Sequence, residues 1–381
     1  MRGERERIIV AMSGGGDSAV AAARLHDAGH EVVGVTLHLW DYPADDGAKA
    51  HGRCCAPEDQ YDARRTADAI GFAHYTFDRR ELFAETVVRP FVDAYVAGET
   101  PSPCTACNRG VKLAELFAIA DRLGASQVAT GHYARTTRDD QTGAPRLAAG
   151  ADATKDQSYF LYATPATWIE RLVFPLGDAM KVDVRAEAVA RGLPGATKGE
   201  SQELCFVGAG AGAYAQFVEE RAKGRLRPGP IVDEGGRVVG EHGGVHRFTV
   251  GQRKGLGVAL GRPVFVSRID PEEATVHLAG GGEPSLSSSR AELADVVLAE
   301  GVYLPRRARV RVRYRHDGAP AEVTRIAHDS SKRHAHDPDQ AGWKALVSFD
   351  EPVRAATKGQ VAVLYDERER VLGGGRIAGS Y

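Results

Sequence analysis

The sequence is poor in cysteine, in net charge and in long apolar segments. Five cysteines in 381 residues are too few for a disulfide scaffold, so we interpret them as thiols, metal ligands or catalytic groups in a reducing cytoplasm. Because the net charge is −2, no overall positive field indicates a nucleic-acid partner, and any RNA contact must come from local patches. No apolar run is long enough for a membrane span or a secretory signal.

Strand and helix patterns alternate from residue 8 to about residue 200. Residues 8–12 form a continuous apolar run, which is typical of a strand buried on both faces. The alanine-rich stretch 18–28 predicts a helix that Gly29 ends, and 32–37 and 127–130 predict further strands. This α/β alternation predicts a parallel sheet with helices on both faces.

From about residue 226 the pattern becomes β. Residues 231–232 and 238–239 flank an Asp-Glu-Gly-Gly turn and predict a hairpin. The glycines and serines of 280–289 predict a linker, and the short alternating strands after it predict a small barrel. We therefore divide the chain into an α/β domain (1–207), a small central β-rich domain (208–284) and a C-terminal β-barrel (285–381). We interpret the polar stretch that contains His334 and His336 as a solvated loop and not as a metal site.

A Ser-Gly-Gly-Gly-Asp-Ser loop at 13–18 joins the first strand to the first helix. Its glycines let backbone N–H groups approach phosphate oxygens, and the helix N-terminus adds donors and a positive partial charge. Asp17 alone would repel phosphate, so its presence implies Mg²⁺ between them. The lysine of a Gly-x4-Gly-Lys-Ser/Thr loop is missing, which excludes that class. The alternative is a plain glycine-rich turn.

The five cysteines fall into three groups, which are Cys54 with Cys55, Cys104 with Cys107, and Cys205 alone. Arg109 and Lys112 follow Cys107 closely and suit a reactive thiolate, which also needs partial exposure. Half a zinc site and buried packing are the alternatives. For Cys54 and Cys55 we favour packing or support, and for Cys107 and Cys205 we favour chemistry.

The loop resembles the Ser-Gly-Gly-x-Asp-Ser motif of the PP-loop (N-type) ATP pyrophosphatases, which have a Rossmann-like sheet. Members adenylate a substrate oxygen, release pyrophosphate and let a nucleophile displace AMP. Together with the cysteines, further motifs make the chain similar, nearly end to end, to the tRNA-specific 2-thiouridylases, which thiolate the wobble uridine of tRNA. The matching segments are 54–55, 62–65, 100–112, 130–135, 155–161, 174–177, 201–206, 249–257 and 349–360.

The resemblance implies a role for specific residues. ATP would be contacted by Ala11, Met12, Ser13, Gly14, Gly15, Gly16, Asp17, Ser18, Leu37 and Gly131. Cys107 matches the catalytic nucleophile and Cys205 the persulfide carrier, and the two could end in a disulfide. The target base would meet Ser102, Pro103 and Cys104. Contacts with tRNA are implied for His132, Lys155, Asp156, Gln157, Arg313, Tyr314 and Gln360. The implied partners are tRNA and a sulfur-donor protein or cysteine desulfurase, and the implied cofactors are ATP and Mg²⁺.

Two residues depart from the family pattern. Some members have Asp at the position of Cys104, and Asn is commoner at the position of Ser102. An alternative to the persulfide route is an iron–sulfur cluster held by Cys104, Cys107 and Cys205, with one iron left open for sulfide. Two other functions remain open, a PP-loop amide ligase such as a tRNA-lysidine synthetase and a nucleotide-sensing tRNA-binding protein.

Positive charge recurs at every second residue near the C-terminus, at Arg307, Arg309, Arg311, Arg313 and Arg315. In a strand these side chains share one face and form a cationic stripe suited to phosphates. The alternative is a solvated outer face of the barrel.

Residues 155–157 precede a predicted aromatic helix start, so they could contact tRNA or cap that helix.

Overall fold

The computed structural model describes residues 6–41, 57–198, 204–208, 210, 212–280, 286–326 and 343–381. Cys54, Cys55, His334 and His336 therefore lie outside the described residues. Within the described residues, no helix has the length and apolar character needed to cross a membrane.

A parallel sheet forms the centre of the N-terminal domain, as the sequence predicts. The strands of this domain are β1 (Arg7–Ala11), β2 (Glu31–His38), β3 (Ala73–Asp78), β4 (Gln127–Ala129), β5 (Ala134–Arg138), β6 (Pro145–Ala149) and β7 (Leu172–Val173). Five of them pair in parallel in the order β3-β2-β1-β4-β7, and β5 and β6 form a separate antiparallel pair. Ile8, Ile9 and Val10 of β1 are fully buried, because helices cover the sheet on both faces.

The helices of the described residues are mostly short. They are α1 (Gly16–Asp27), α2 (Pro57–Ile70), α3 (Arg80–Phe83), α4 (Arg89–Val96), α5 (Pro103–Cys107), α6 (Ala114–Arg122), α7 (Ala166–Ile169), α8 (Lys181–Ala190) and α9 (Ala213–Ala222). Two π-helical turns, Ala84–Val88 and Asn108–Leu113, interrupt the helical stretches around α4 and α6. Such turns are frequent at functional sites, and the second one follows Cys107 directly.

The C-terminal half is built of β-strands. The central sheet contains β8 (Gly229–Val232), β9 (Val238–His242), β10 (Val264–Asp270) and β11 (Thr275–Gly280), in the order β10-β11-β8-β9. The predicted hairpin is confirmed as the antiparallel pair β8–β9. A closed barrel follows, in the order β12-β15-β14-β13-β16-β17. Its strands are β12 (Ser287–Leu298), β13 (Arg306–Arg311), β14 (Ala319–Ile326), β15 (Lys344–Arg354), β16 (Val361–Tyr365) and β17 (Val371–Ser380).

The linker predicted at 280–289 is wrong at both ends. Gly280 is the last residue of β11, and the serines from Ser287 onward belong to β12, which pairs with β15 and β17. Small polar residues suggested a loop, but backbone pairing on both sides of a strand outweighs their weak β propensity.

One apolar cluster joins the three parts of the molecule. It contains Phe91 and Phe117 of the sheet domain, Phe217 of α9, and Val363 and Tyr365 of the barrel. The burial of apolar surface therefore links the barrel and α9 to the domain that carries the phosphate loop.

Candidate active site

The phosphate loop lies at the carboxyl ends of the central strands. Residues 13–18 join β1 to α1, and β1 pairs with β2 on one side and β4 on the other, so the strand order reverses here. Ligands of open parallel sheets bind in the crevice at such a point. Leu37, near the end of β2, and Gly131, just after β4, flank the loop. Thr36 Oγ1 donates to Met12 O at 2.7 Å and ties the loop entrance to β2.

Hydrogen bonds within the loop hold its two serines together. Ser13 N donates to Ser18 Oγ at 3.2 Å, and Ser18 Oγ donates to Gly15 O at 3.0 Å. Gly14 has a φ of +74°, and a Cβ there would lie 2.0 Å from the carbonyl oxygen of Asp59. Only glycine fits this position. The loop is therefore a fixed turn at a helix N-terminus, the arrangement that binds phosphate.

The Asp17 carboxylate is paired with a lysine from a distant helix. Lys181 Nζ donates to both Asp17 oxygens, at 2.7 and 2.6 Å, across 164 residues of sequence. Tyr133 Oη also donates to Asp17, at 3.0 Å. A cation therefore lies beside the loop, although the loop motif contains no lysine.

A second lysine lies on the other side of the loop. Gly195 packs so closely on the loop that its Cβ would lie 2.4 Å from Gly14 O. Three residues further on, Lys198 Nζ lies 2.6 Å from Asp59 Oδ1 and 2.7 Å from Asp62 Oδ2. Burial disfavours the charged form of Lys198, but the hydrogen bonds and charges of the two carboxylates outweigh it and raise its pKa. The chain that leads toward Cys205 thus contacts the phosphate loop.

Gly131 and His132 follow β4 beside the phosphate loop. Gly131 lies so close to α1 that a Cβ there would be 3.1 Å from Ser18 N. The next residue, His132, has its Nδ1 2.8 Å from Thr130 Oγ1. Burial, and secondarily the charge of Lys112, lower the pKa of His132 to about 3. Tyr133, next to His132, donates to Asp17 and to Gln157, and Asn108, just after Cys107, donates to Phe160 O. The segment 157–160 therefore bridges the phosphate loop and α5 (Pro103–Cys107), the cysteine helix.

The two thiols of the Cys-x-x-Cys motif lie on α5 with different exposure. Cys104 is exposed, whereas Cys107 is only 5% exposed. A reactive thiolate needs partial exposure, but α5 turns the Cys107 side chain into the apolar cluster. Ser102 precedes α5, and Pro103 is buried at its first turn, a position that suits proline. Asn108 Nδ2 donates to Phe160 O at 3.2 Å.

Cys205 lies on a loop that aromatic packing anchors. It is half-buried, and its neighbour Phe206 is 4% exposed. The Phe206 ring contacts the rings of Phe83, Phe91 and Phe217 at centroid distances of 5.6, 5.1 and 5.3 Å. Cys107 and Cys205 therefore border the same apolar cluster.

The segment 155–157 behaves as a cap and a domain contact. Asp156 is 4% exposed and accepts hydrogen bonds from Ser158 N, at 3.0 Å, and from Arg311 Nη1, at 2.7 Å. Gln157 Oε1 accepts from Tyr133 N at 3.0 Å. The geometry thus favours the capping alternative for Asp156, since this buried, ion-paired carboxylate is not open to RNA.

The predicted arginine stripe on a single strand face is wrong. β13 ends at Arg311, so Arg313 and Arg315 lie beyond the strand. Arg307 pairs with Asp350 at 2.5 Å, and both Arg309 and Arg311 pair with Glu369. These pairs neutralise the first three arginines, because acidic side chains from other strands and from the sheet domain reach the same face.

Three other residues that the resemblance assigns to tRNA belong to the C-terminal domain. Arg313 is exposed, and its Nη1 donates to Arg354 O at 2.9 Å. The Tyr314 ring packs on Phe160 with centroids 4.6 Å apart. Gln360 Nε2 donates to Thr100 O at 3.0 Å, just before α5.

The fold and the loop define the class of protein first. A family model described as "tRNA methyl transferase HUP domain" matches residues 6–209, and one described as "tRNA methyl transferase PRC-barrel domain" matches 215–280. One described as "Aminomethyltransferase beta-barrel domain" matches 298–377. The parallel sheet with its loop at the switch point is thus the HUP domain of a PP-loop protein, followed by two β-domains.

Relatives then identify the family. The tRNA-specific 2-thiouridylase MnmA of Sorangium cellulosum is 59% identical over 371 residues, which cover 97% of this chain and 92% of that protein. The enzymes of the same name from Moorella thermoacetica and Solibacter usitatus are 44% and 43% identical, each over 97% of this chain and 98% of the relative. The chain belongs to the tRNA-specific 2-thiouridylase family.

Sequence reasoning missed Lys181, Lys198 and the contacts around Thr100. The two lysines are separated from the loop by more than 160 residues, and no local pattern marks either as its neighbour. Of these residues, only Lys181 could have been suspected from the sequence, because it begins α8 just after the matched segment 174–177.

Proposed function

We propose that the protein catalyses the ATP-dependent 2-thiolation of the wobble uridine of tRNA. Its family membership makes it a transferase of sulfur-containing groups. The observation that supports the proposal is the run of contacts from the phosphate loop to the cysteine helix, through Tyr133, the segment 157–160 and Asn108. An amide ligase needs only the phosphate loop, whereas a thiolase needs the loop and reactive cysteines near it.

The first step makes the uracil oxygen a good leaving group. The 2-oxygen attacks the α-phosphorus of ATP, the bond to the β-phosphate oxygen breaks, and pyrophosphate leaves. The backbone N–H groups of 13–18 and the hydroxyls of Ser13 and Ser18 bind the phosphates. Lys181, which pairs with Asp17 at 2.6 Å, stabilises the negative charge that develops on the leaving pyrophosphate.

The second step transfers sulfur. The terminal sulfur of a Cys205 persulfide attacks C2 of the adenylated base, and AMP leaves with the original oxygen. Cys107 attacks the inner sulfur of Cys205, so a disulfide forms and the sulfur stays on the base. Alternatively, Cys107 attacks the persulfide first and frees hydrogensulfide, which then attacks C2. Either route ends in a Cys107–Cys205 disulfide, which a thiol reductant must reduce.

Mg²⁺ fits the loop through one carboxylate. Magnesium commonly binds through one or two carboxylates together with substrate phosphates, and Asp17 supplies one at the loop. When bound, the ion would neutralise phosphate charge. Asp17 also contacts Lys181 and Tyr133, so ion and lysine would share this carboxylate.

The described residues do not fit an iron–sulfur cluster. Within the part of the chain that the structure describes, no group of three or more His, Cys, Asp or Glu side chains is arranged to hold a metal ion. We therefore derive no step through a cluster held by Cys104, Cys107 and Cys205.

The tRNA would lie across all three proposed domains, 1–207, 208–284 and 285–381. Ser102, Pro103 and Cys104 precede or begin α5 and would meet the target base, which must leave its stack to reach the loop. His132, Lys155, Gln157, Arg313 and Tyr314 remain proposed tRNA contacts. A sulfur-donor protein or cysteine desulfurase would load Cys205, and we propose a cytoplasmic location.

Nucleoside mass spectrometry tests the proposal. Purified protein is incubated with unmodified tRNA, ATP with Mg²⁺ and a sulfide source, and the tRNA is digested. We expect 2-thiouridine together with AMP and pyrophosphate. Folded protein that yields no 2-thiouridine would overturn the proposal. AMP formed with an amino acid attached to the base would favour an amide ligase, and ATP binding without AMP would favour a nucleotide sensor.

A further inference from the structure

The segment 99–101, just before the cysteine helix, is held by the barrel. Thr100 N donates to Lys358 O at 2.9 Å. Gln360 Nε2 donates to Thr100 O at 3.0 Å and to Pro101 O at 3.3 Å. One barrel turn therefore binds three consecutive backbone groups of the sheet domain, across about 260 residues of sequence.

The barrel turn fits this segment closely. Gly359 has a φ of +92°, and a Cβ there would lie 2.8 Å from Thr100 N and 2.9 Å from Thr100 O. Glu99 adds ion pairs with Lys358, at 3.2 Å, and with Arg376 of β17, at 3.4 Å. Backbone, side-chain and steric contacts thus all fix the same short stretch.

The central domain reaches the same point. Thr100 Oγ1 donates to Thr249 Oγ1 at 3.3 Å. Gln252 Oε1 accepts a hydrogen bond from Thr249 N at 3.0 Å and shapes that turn. The central domain and the barrel therefore both contact Thr100.

The cysteine helix begins three residues after Thr100. Pro101 and Pro103 have fixed φ angles, which stiffens the short connection from Thr100 to α5. α5 buries Cys107, at 5% exposure, and leaves Cys104 exposed. A shift of the Thr100 backbone would therefore reach the helix that buries Cys107.

We propose that Gln360 is a positioning residue for Cys107. It holds the carbonyls of Thr100 and Pro101 and so sets the placement of α5, and it couples movement of the barrel on tRNA to exposure of the nucleophile. Its catalytic meaning rests on the proposed function, whereas its effect on α5 is a property of the protein without tRNA.

Alkylation of the cysteines tests the positioning directly. Wild type, Gln360→Glu and Gly359→Ala are treated with iodoacetamide in the absence of tRNA and ATP, and the labelled peptides are quantified. Gln360→Glu is nearly isosteric but replaces the donor with an acceptor, and Gly359→Ala forces the turn away from Thr100. In both variants we expect iodoacetamide to label Cys107 about tenfold faster, because the hydrogen bonds that hold α5 in place are lost. The labelling rate of Cys104 should not change.

Arg368→Ala is the matched control. Arg368 joins the barrel to Asp140 of the sheet domain at 2.7 Å, and both side chains are exposed. It should leave Cys107 labelling unchanged. Equal labelling of Cys107 in wild type and in both turn variants would overturn the proposal. So would a rise at Cys104 and Cys205 as large as that at Cys107, because this would indicate general unfolding.

Steady-state thiolation separates positioning from tRNA contact. Gln360→Glu should lower kcat about tenfold and change the KM for tRNA by less than about twofold. A raised KM with unchanged kcat would overturn the proposal and leave Gln360 as a simple tRNA contact. If wild-type protein makes no 2-thiouridine, the proposed function fails, while the alkylation result still decides whether Gln360 positions α5.

Discussion

The phosphate loop and the cysteine helix are neighbours that are held in different ways. The loop is shaped by its own serines and by Asp59 and Lys181 of the same domain. The approach to α5 is held by Gln360 of the barrel and Thr249 of the central domain. The proposed ATP site can therefore be assembled by one domain, whereas the approach to Cys107 is held by contacts from the other two.

The largest expected effect separates sulfur transfer from ATP binding. Cys107→Ser and Cys205→Ser should each lower 2-thiouridine formation by at least about 1,000-fold, because the nucleophile and the sulfur carrier are removed. ATP affinity should be unchanged, since neither side chain belongs to the loop. Nucleoside mass spectrometry and equilibrium dialysis with ATP measure the two effects.

Cys104→Ser is the control for these variants and should cause a much smaller loss. Full thiolation by Cys107→Ser would contradict the assignment of the nucleophile.

Lys181→Met should affect the loop and leave the cysteine helix unchanged. Loss of the cation that lies 2.6 Å from Asp17 should slow pyrophosphate release about 100-fold, which is typical for the loss of one group that stabilises developing charge. Alkylation of Cys107 should match wild type. Lys344→Met, which removes a lysine paired with Glu292 in the barrel, is the control. Equal pyrophosphate release in the two variants would remove Lys181 from the reaction.

Two glycines distinguish the loop from an ordinary turn. Gly14 and Gly29 both have positive φ, at +74° and +88°, but only at Gly14 would a Cβ meet the backbone of Asp59. Gly29→Ala should cost about 1 kcal/mol of folding free energy and leave ATP affinity unchanged. Gly14→Ala should cost about 2–3 kcal/mol and weaken ATP binding about tenfold. Urea unfolding and ATP titration measure both, and equal effects would show that the close approach to Asp59 has no role.

The smallest expected effect concerns the pH dependence of stability and comes from His132, which follows β4 beside the phosphate loop. Its pKa is lowered to about 3 by burial and by Lys112, so the folded protein keeps the ring neutral while the unfolded chain binds a proton near pH 6.5. Stability should therefore fall as the pH drops below about 6.5, by roughly 1 kcal/mol at about pH 5.5. His132→Asn should remove this part of the loss in urea unfolding. An identical pH dependence in wild type and variant would show that the ring is solvated.

The architecture and the loop were predictable because local patterns specify them. Apolar runs around Ile8 and Val33 predicted the parallel sheet, and short alternating strands predicted the barrel. The Ser-Gly-Gly-Gly-Asp-Ser loop lies where the prediction put it. By contrast, the alternation of Arg307, Arg309 and Arg311 suits an RNA-binding face and an ion-paired face equally. A sequence pattern does not show which side chains will lie opposite these arginines in the folded chain.

The sequence alone thus determined which segments form strands, where a phosphate loop begins and which cysteines are available. Only the tertiary structure decided that Lys181 stands beside Asp17, that Asp156 faces Arg311 and that Gln360 holds the approach to Cys107. Each of these contacts joins residues more than 150 positions apart. Local periodicity reports which face of an element is buried, whereas the partner at that face depends on how the whole chain packs.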